Sequence, residues 1–287
     1  MALAAAVDVA RRLWIKASRD DIFFLAGGIA FSLLLAAVPF VLLLASGLGF
    51  VLNESPEASF GAATSLIENL VPAAASGSLI DPVLQDVVRT RGTVGAVSAI
   101  AFLWFSTRLF GSMRSVLVRV FEEPRGRGIF VGKLLDVGLT LLVTVLIVMW
   151  IALSTYITLA RSSGVELLSA IGLHAESVMR PLTYLVGRVV TFALLAMLFA
   201  ALYHVLPNRR ARRAQALLGG VVGAVLFEVA RVAFGAVVER YNPVTLYTGT
   251  LATVVVVVFW VYYAALAFIL AAEFSHVMEE RHVAATA

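Results

Sequence analysis

Apolar residues run in long blocks that short charged stretches interrupt. Ile22 to Val51 is 30 residues without a charge, Val137 to Ala160 is 24, and Tyr241 to Ala272 is 32. A hydrocarbon core about 30 Å thick takes about 20 helical residues, so each block is long enough to cross it. The pattern predicts six membrane spans. Span 1 is Ile22–Val51, and span 2 is Gly92–Thr107, whose 16 uncharged residues imply a helix continuing through Arg108 toward Val120. Span 3 is Val137–Ala160, span 4 Pro181–Leu206, span 5 Ala214–Val238 and span 6 Tyr247–Ala272.

The intervening stretches follow other periods. Residues 1–21 set Arg11, Arg12, Lys16 and Arg19 among Leu3, Val7, Leu13, Trp14 and Ile15, an amphipathic helix for the membrane surface. Ala58–Leu70 and Pro82–Val88 have helical apolar spacing, which predicts short amphipathic helices capping the outer face between spans 1 and 2. The division is then 1–21 as a cytoplasmic segment, 22–272 as one transmembrane domain with an outer cap at 52–91, and 273–287 as a polar, frayed cytoplasmic tail. Pro39 removes a backbone donor inside span 1, which predicts a kink near Leu35 or a broken helix at a transport site.

Composition agrees with this pattern. Hydrophobic residues make up 61% of the 287, against about 45–50% in soluble domains. There is no cysteine, which excludes disulfides, thiolate catalysis and Cys-based zinc sites. Of the 22 lysines and arginines, 14 fall in the N-terminal segment, the two alternate turns (114–133 and 209–213) and the tail, if both ends are cytoplasmic. Five fall on the other side (Arg89, Arg91, Arg161, Arg180, Arg240), and three lie within spans. That bias predicts six spans with both termini cytoplasmic. It also explains the basic turns without a nucleic-acid partner.

The charges within spans are Arg108, Arg188 and Arg231, with one carboxylate, Glu228. A charge at the bilayer centre costs roughly 2.5–3.5 kcal/mol on insertion scales, so it calls for a partner or a function. Glu228 and Arg231 are three apart and share a helix face with Ala216, Gly220, Ala224, Gly235 and Glu239. Small residues in line with the charges, and the Gly219-xxx-Gly223 spacing, predict close packing of another helix against that face, turned away from lipid. At about 1.5 Å per residue, Glu228 lies about 15 Å, and Arg231 and Arg188 about 10 Å, below the outer surface. One carboxylate and two guanidiniums therefore converge on one level, as a structural ion pair or as a polar centre for an anionic or phosphate-bearing ligand.

Other polar positions carry less. Tyr247 and Thr250 lie at the outer mouth of span 6, and Trp260 and Tyr262 lie deeper, to line a cavity or to pack. Glu273, Asp20-Asp21 and Glu122-Glu123 read as solvated carboxylates at membrane edges. The four histidines have no metal-ligand spacing, and no Walker loop, nucleophile elbow or dinucleotide fingerprint occurs. No metal, cofactor or enzymatic activity is expected.

Several stretches together resemble the YihY/BrkB family of bacterial inner-membrane proteins. They are Ala26…Ala30-Phe31…Pro39, Leu202-Tyr203-His204-Val205-Leu206-Pro207-Asn208-Arg209, Phe227-Glu228, and Tyr247…Gly249-Thr250-Leu251-Ala252…Trp260-Val261-Tyr262…Ala272-Glu273. Thr248 stands between Tyr247 and Gly249, where the family commonly joins Tyr to Gly directly. The resemblance implies a six-helix membrane protein, associated in some members with serum resistance and often described as a possible transporter. The family has also carried the label ribonuclease BN, but a nuclease needs clustered carboxylates or histidines on metal ions, and no such cluster is readable here. Two functions follow as expectations. One is a transporter-like permease with Glu228, Arg231 and Arg188 as its polar centre, binding an anionic ligand or lipid. The other is a non-transporting scaffold or envelope-assembly factor. Either has the lipid bilayer as its partner.

Overall fold

A computed structural model describes residues 2–51, 91–123, 128, 130–146, 149, 175–207, 213–241 and 250–286. Among these residues the chain is all-helical, with seven helices. They are α1 (Ala2–Arg19), α2 (Ile22–Val51), α3 (Arg91–Val120), α4 (130–146), α5 (Ala175–Val205), α6 (Arg213–Tyr241) and α7 (Thr250–Thr286). Four are long and apolar enough to cross a membrane, through Ile22–Phe40, Leu185–Val205, Arg213–Val238 and Val254–Arg281. α3 is one unbroken helix through Arg108, which is exposed, as the span-2 reading requires. The continuation of α4, the cap at 52–90, Tyr247 and the basic turn at 208–212 lie outside the described residues.

Two hairpins pack on α7. α2 runs against α3, so that the start of one meets the end of the other, where Arg119 Nη2 lies 3.4 Å from Asp21 Oδ2. α5 runs against α6 in the same antiparallel sense, and α7 packs against α6, α2 and α3. α1 lies against the far end of α7. Large apolar side chains such as Phe24, Ile100, Trp104, Leu185, Val229 and Val232 are exposed on the outside. Water would not tolerate so broad an apolar surface, whereas lipid demands it.

The α5–α6 contact follows from its glycines. A Cβ on Gly220 would collide with the Ala196 carbonyl and the Ala200 backbone nitrogen, and one on Gly223 would sit 2.5 Å from Phe199 Cδ2. Ala216 and Ala224 complete the buried stripe, as the spacing predicted. Beside it, Tyr203 is fully buried and donates to the Phe268 carbonyl at 2.7 Å, which ties α5 to α7. Rings from Phe199, Phe227, Phe234, Trp260 and Phe268 continue this layer with centroids 5.4–6.2 Å apart.

One of the two alternatives at Pro39 falls away here, and so does the frayed tail. α2 passes through the buried Pro39 as one helix, so the chain is not broken at that point. The segment after Ala272 is no frayed tail, because α7 stays helical to Thr286. Val277 is buried, and Phe121 meets His276 edge-on with centroids 5.7 Å apart, so the end of α3 and α1 hold this turn of α7 in place.

Candidate functional site

Arg188, Glu228 and Arg231 do meet. Arg188 on α5 places Nη2 2.7 Å from Glu228 Oε1 on α6, and Arg231, one turn along, donates Nη2 to the same oxygen at 2.7 Å and Nε to Oε2 at 2.9 Å. Both carboxylate oxygens are engaged by donors, and the group carries a formal charge of +1. The antiparallel α5–α6 contact sets Arg188 opposite Glu228, since the glycine stripe fixes the register two turns below. The expectation that this face points wholly into the bundle needs correction. The stripe is buried at Ala216, Gly220 and Ala224, but the charged side chains above it are 32–44% exposed. Arg and Glu are longer than the glycine groove is deep, so their heads emerge from the contact.

The secondary candidates separate. Trp260 is buried between Phe227 and Phe234 and packs rather than lining a cavity. Tyr262 donates to the Phe23 carbonyl at 3.3 Å, a link from α7 to α2. Thr250 opens α7. Of these, only Tyr247 has no described backbone.

Two polar groups went unread in the sequence. Asp136 on α4 is 1% exposed and takes Arg114 of α3 in a bidentate grip, Nη1 to Oδ1 at 3.0 Å and Nη2 to Oδ2 at 3.2 Å. Arg114 Nη1 also donates to the Gly132 carbonyl at 2.8 Å. An arginine following Gly111 by three, and an aspartate at the foot of an apolar run, were the available signals.

The second group gathers where α1, the end of α3 and the far end of α7 converge. Lys16 Nζ donates to Glu122 Oε1 at 3.1 Å and lies 3.5 Å from Asp20 Oδ2 and 3.9 Å from Glu273 Oε2. Glu273 is fully buried and Asp20 is 7% exposed, so the reading of both as solvated flanks is overturned. The polar tail does not carry Glu273 into water because α1 covers it. Asp21, the neighbour of Asp20, does stay exposed, as does half of Glu122. Glu122 ends α3 in a Schellman turn. Its own N–H bonds the Arg119 carbonyl at 3.1 Å, the Glu123 N–H bonds the Val118 carbonyl at 3.0 Å, and its φ is 50°. Glycine usually holds this left-handed position, and a side chain there costs about 1–2 kcal/mol. Here it aims the carboxylate at Lys16.

The titration of the outer pair follows from that geometry. Burial alone would lower the affinity of Lys16 for its proton. The Glu122 hydrogen bond and the charges of Glu273, Asp20 and Glu122 outweigh it and hold the ammonium above its ordinary value. The same hydrogen bond from Lys16 holds Glu122 below the usual carboxylate range.

Two cavities lie away from the Arg188, Glu228 and Arg231 group, the first of them bordering the Lys16 cluster at Glu122. One of about 510 Å³ lies between α2 and α3, lined by Phe24, Gly28, Ser112, Ser115, Arg119 and Glu122. The other, about 450 Å³, is apolar, lined on α6 and α7 by Phe234, Val237, Phe259 and Tyr263. No group of three or more histidine, aspartate and glutamate side chains is placed to hold a metal among the described residues.

Among the described residues, all-helical structure, apolar side chains exposed on the outside, four helices long and apolar enough to cross a membrane, and charges paired between helices are the marks of a membrane protein. Residues 13–287 match the family described as Virulence factor BrkB, and the chain belongs to that family. It is similar to a UPF0761 membrane protein of Vibrio vulnificus, 28% identical over 280 residues, covering 96% of this chain and 84% of the relative. A UPF0761 membrane protein of Pseudoalteromonas atlantica is 25% identical over 266 residues, covering 91% and 82%. One of Aeromonas salmonicida is 27% identical over 269 residues, covering 92% and 86%. No solved structure matches.

Proposed function

We propose that this BrkB-family membrane protein is a transporter-like permease of the bacterial inner membrane. It would have six spans, both termini cytoplasmic and no enzymatic activity. Arg188, Glu228 and Arg231 form its anion-binding centre. The observation that carries the reading is the ratio within that group, two guanidiniums on one carboxylate, with the heads exposed rather than sealed. Guanidinium forks match phosphate and carboxylate geometry, and Glu228 is the internal anion that a ligand would compete with. The orientation rests on the basic bias of the turns.

A thermal-shift screen of the detergent-solubilised protein tests this, with anionic lipids, phosphorylated metabolites and simple anions as ligands. A ligand at 100 times its Kd stabilises by about 2.7 kcal/mol. The expected result is a ligand that shifts the natural chain and fails to shift Arg188→Gln. Were no ligand to shift the natural chain while Glu228→Gln simply melted earlier, the group would be a structural clamp and the scaffold reading would replace this one.

A further inference from the structure

The cluster at the end of α7 has too many carboxylates for its donors. Neither oxygen of Glu273 has a hydrogen-bond partner among the described residues, nor does Asp20 Oδ2, although all three atoms are buried. Lys16 is the one ammonium at the centre, and its hydrogen bond goes outward to the half-exposed Glu122. That leaves Glu273 with a counter-charge 3.9 Å away and no donor. Two buried carboxylates sharing one ammonium that bonds to neither cannot both stay charged at modest cost. The economical state places a proton on Glu273, which turns one unpartnered acceptor into a donor.

Among the described residues the other charged groups nearby are engaged elsewhere. From α1 come Lys16 and Asp20, with Arg19 Nη1 reaching only Glu122, at 3.8 Å. The end of α3 contributes Glu122, and its Arg119 is turned to Asp21 at the head of α2. From α7 comes His276, whose Nε2 lies 3.4 Å from Glu280. α6 faces this end of α7 through the neutral contact of Ser275 Oγ with the Gln215 carbonyl, at 3.2 Å.

We propose that Glu273, buried beside Asp20 and Lys16, is a proton-binding site that fastens α1 to α7, occupied when α1 is docked and emptied into water when α1 lifts away. The site is independent of the anion-binding centre and of whether the chain transports anything. Its sign follows from linkage. The docked state binds the extra proton, so docking is strongest at low pH and weakens as pH rises. Between the free and docked proton affinities it falls about tenfold per pH unit.

The chain has no native cysteine, so Ala17→Cys introduces a single thiol at a buried position of α1. The full-length protein in liposomes is labelled with a maleimide from about pH 5 to about pH 9, the interval between an ordinary and a buried carboxyl. Rates are divided by those of the exposed control Val7→Cys to remove thiol ionisation. The normalised rate should rise steeply with pH in the natural background and stay flat in Glu273→Gln, which keeps the shape of the protonated acid. Infrared difference spectra of the cysteine-free protein give a second readout. A protonated-carboxyl band should fade as pH rises and be missing from Glu273→Gln. An identical pH response in Glu273→Gln, a flat response in the natural background, or a protonated-carboxyl band unchanged by Glu273→Gln would overturn the proposal.

Discussion

The two charged groups on either end of the α5–α6–α7 layer are built to opposite rules. At Arg188, Glu228 and Arg231, cations outnumber the carboxylate, both of its oxygens are bonded, and the heads are open. At Lys16, Asp20 and Glu273, carboxylates outnumber the ammonium, three oxygens lack donors, and the group is sealed. An open, fully bonded group can trade a partner for a ligand with little desolvation. A sealed, under-bonded one changes its proton count or its packing. The Arg114–Asp136 pair is a third case, buried at the carboxylate and fully bonded, which is the pattern of a structural clamp.

That contrast sets the order of the expected effects. Removing the carboxylate of the clamp in Asp136→Ala leaves the partly buried Arg114 without its partner and should destabilise by about 3 kcal/mol in denaturant titration. A loss under about 1 kcal/mol would place Asp136 with the open group instead. Gly220→Ala puts a methyl into the Ala196 and Ala200 backbone and should cost about 1–3 kcal/mol. Gly235→Ala, on the same helix with nothing within 4 Å of the added carbon, should gain up to about 1 kcal/mol from helix propensity. Equal effects at the two glycines would mean that the hairpin does not hold the triad by contact. Glu228→Gln should cost about 1 kcal/mol or less, because its partners are partly solvated. The smallest effect is a pH dependence at the cluster rim. Glu122, held below its ordinary 4.5, supports α1 docking above that pH and loses the contribution as pH falls through its lowered value. Lys16, held above 10.5, supports docking below that pH and loses it only at higher pH. Thiol labelling at position 17 should therefore rise modestly on strong acidification, and Glu122→Gln should abolish that rise.

Much of the helical layout was legible from apolar runs and their breaks. α5 and α6 lie within a few residues of spans 4 and 5 at their membrane ends, and α3 continues past Arg108 as the short span 2 required. The triad was legible for a local reason. Glu228 and Arg231 share a face by spacing alone, and depth counting brought Arg188 to their level. The sealed cluster was not, because Lys16, Glu122 and Glu273 are separated by more than a hundred residues and meet only when α1 folds over α7. An unpaired carboxylate after an uncharged run looks the same in sequence whether water or another helix covers it. The burial of Asp20 beside an exposed Asp21 likewise depends on the turn between α1 and α2, where Asp21 adopts a φ of 54°.

The missing side chains of α6 also set its mechanics. Adjacent residues project about 100° apart around a helix. Turning α6 by one residue would swing Val221 or Val225, now outward, into the space that Gly220 and Ala224 leave for the Ala196–Ala200 backbone. The contact therefore acts as a key in a slot that blocks axial rotation, and α5 and α6 move as one rigid body. Any rearrangement of this bundle must then be taken up outside the α5–α6 pair, at the contacts of α7 with that pair, with the α2–α3 hairpin and with α1.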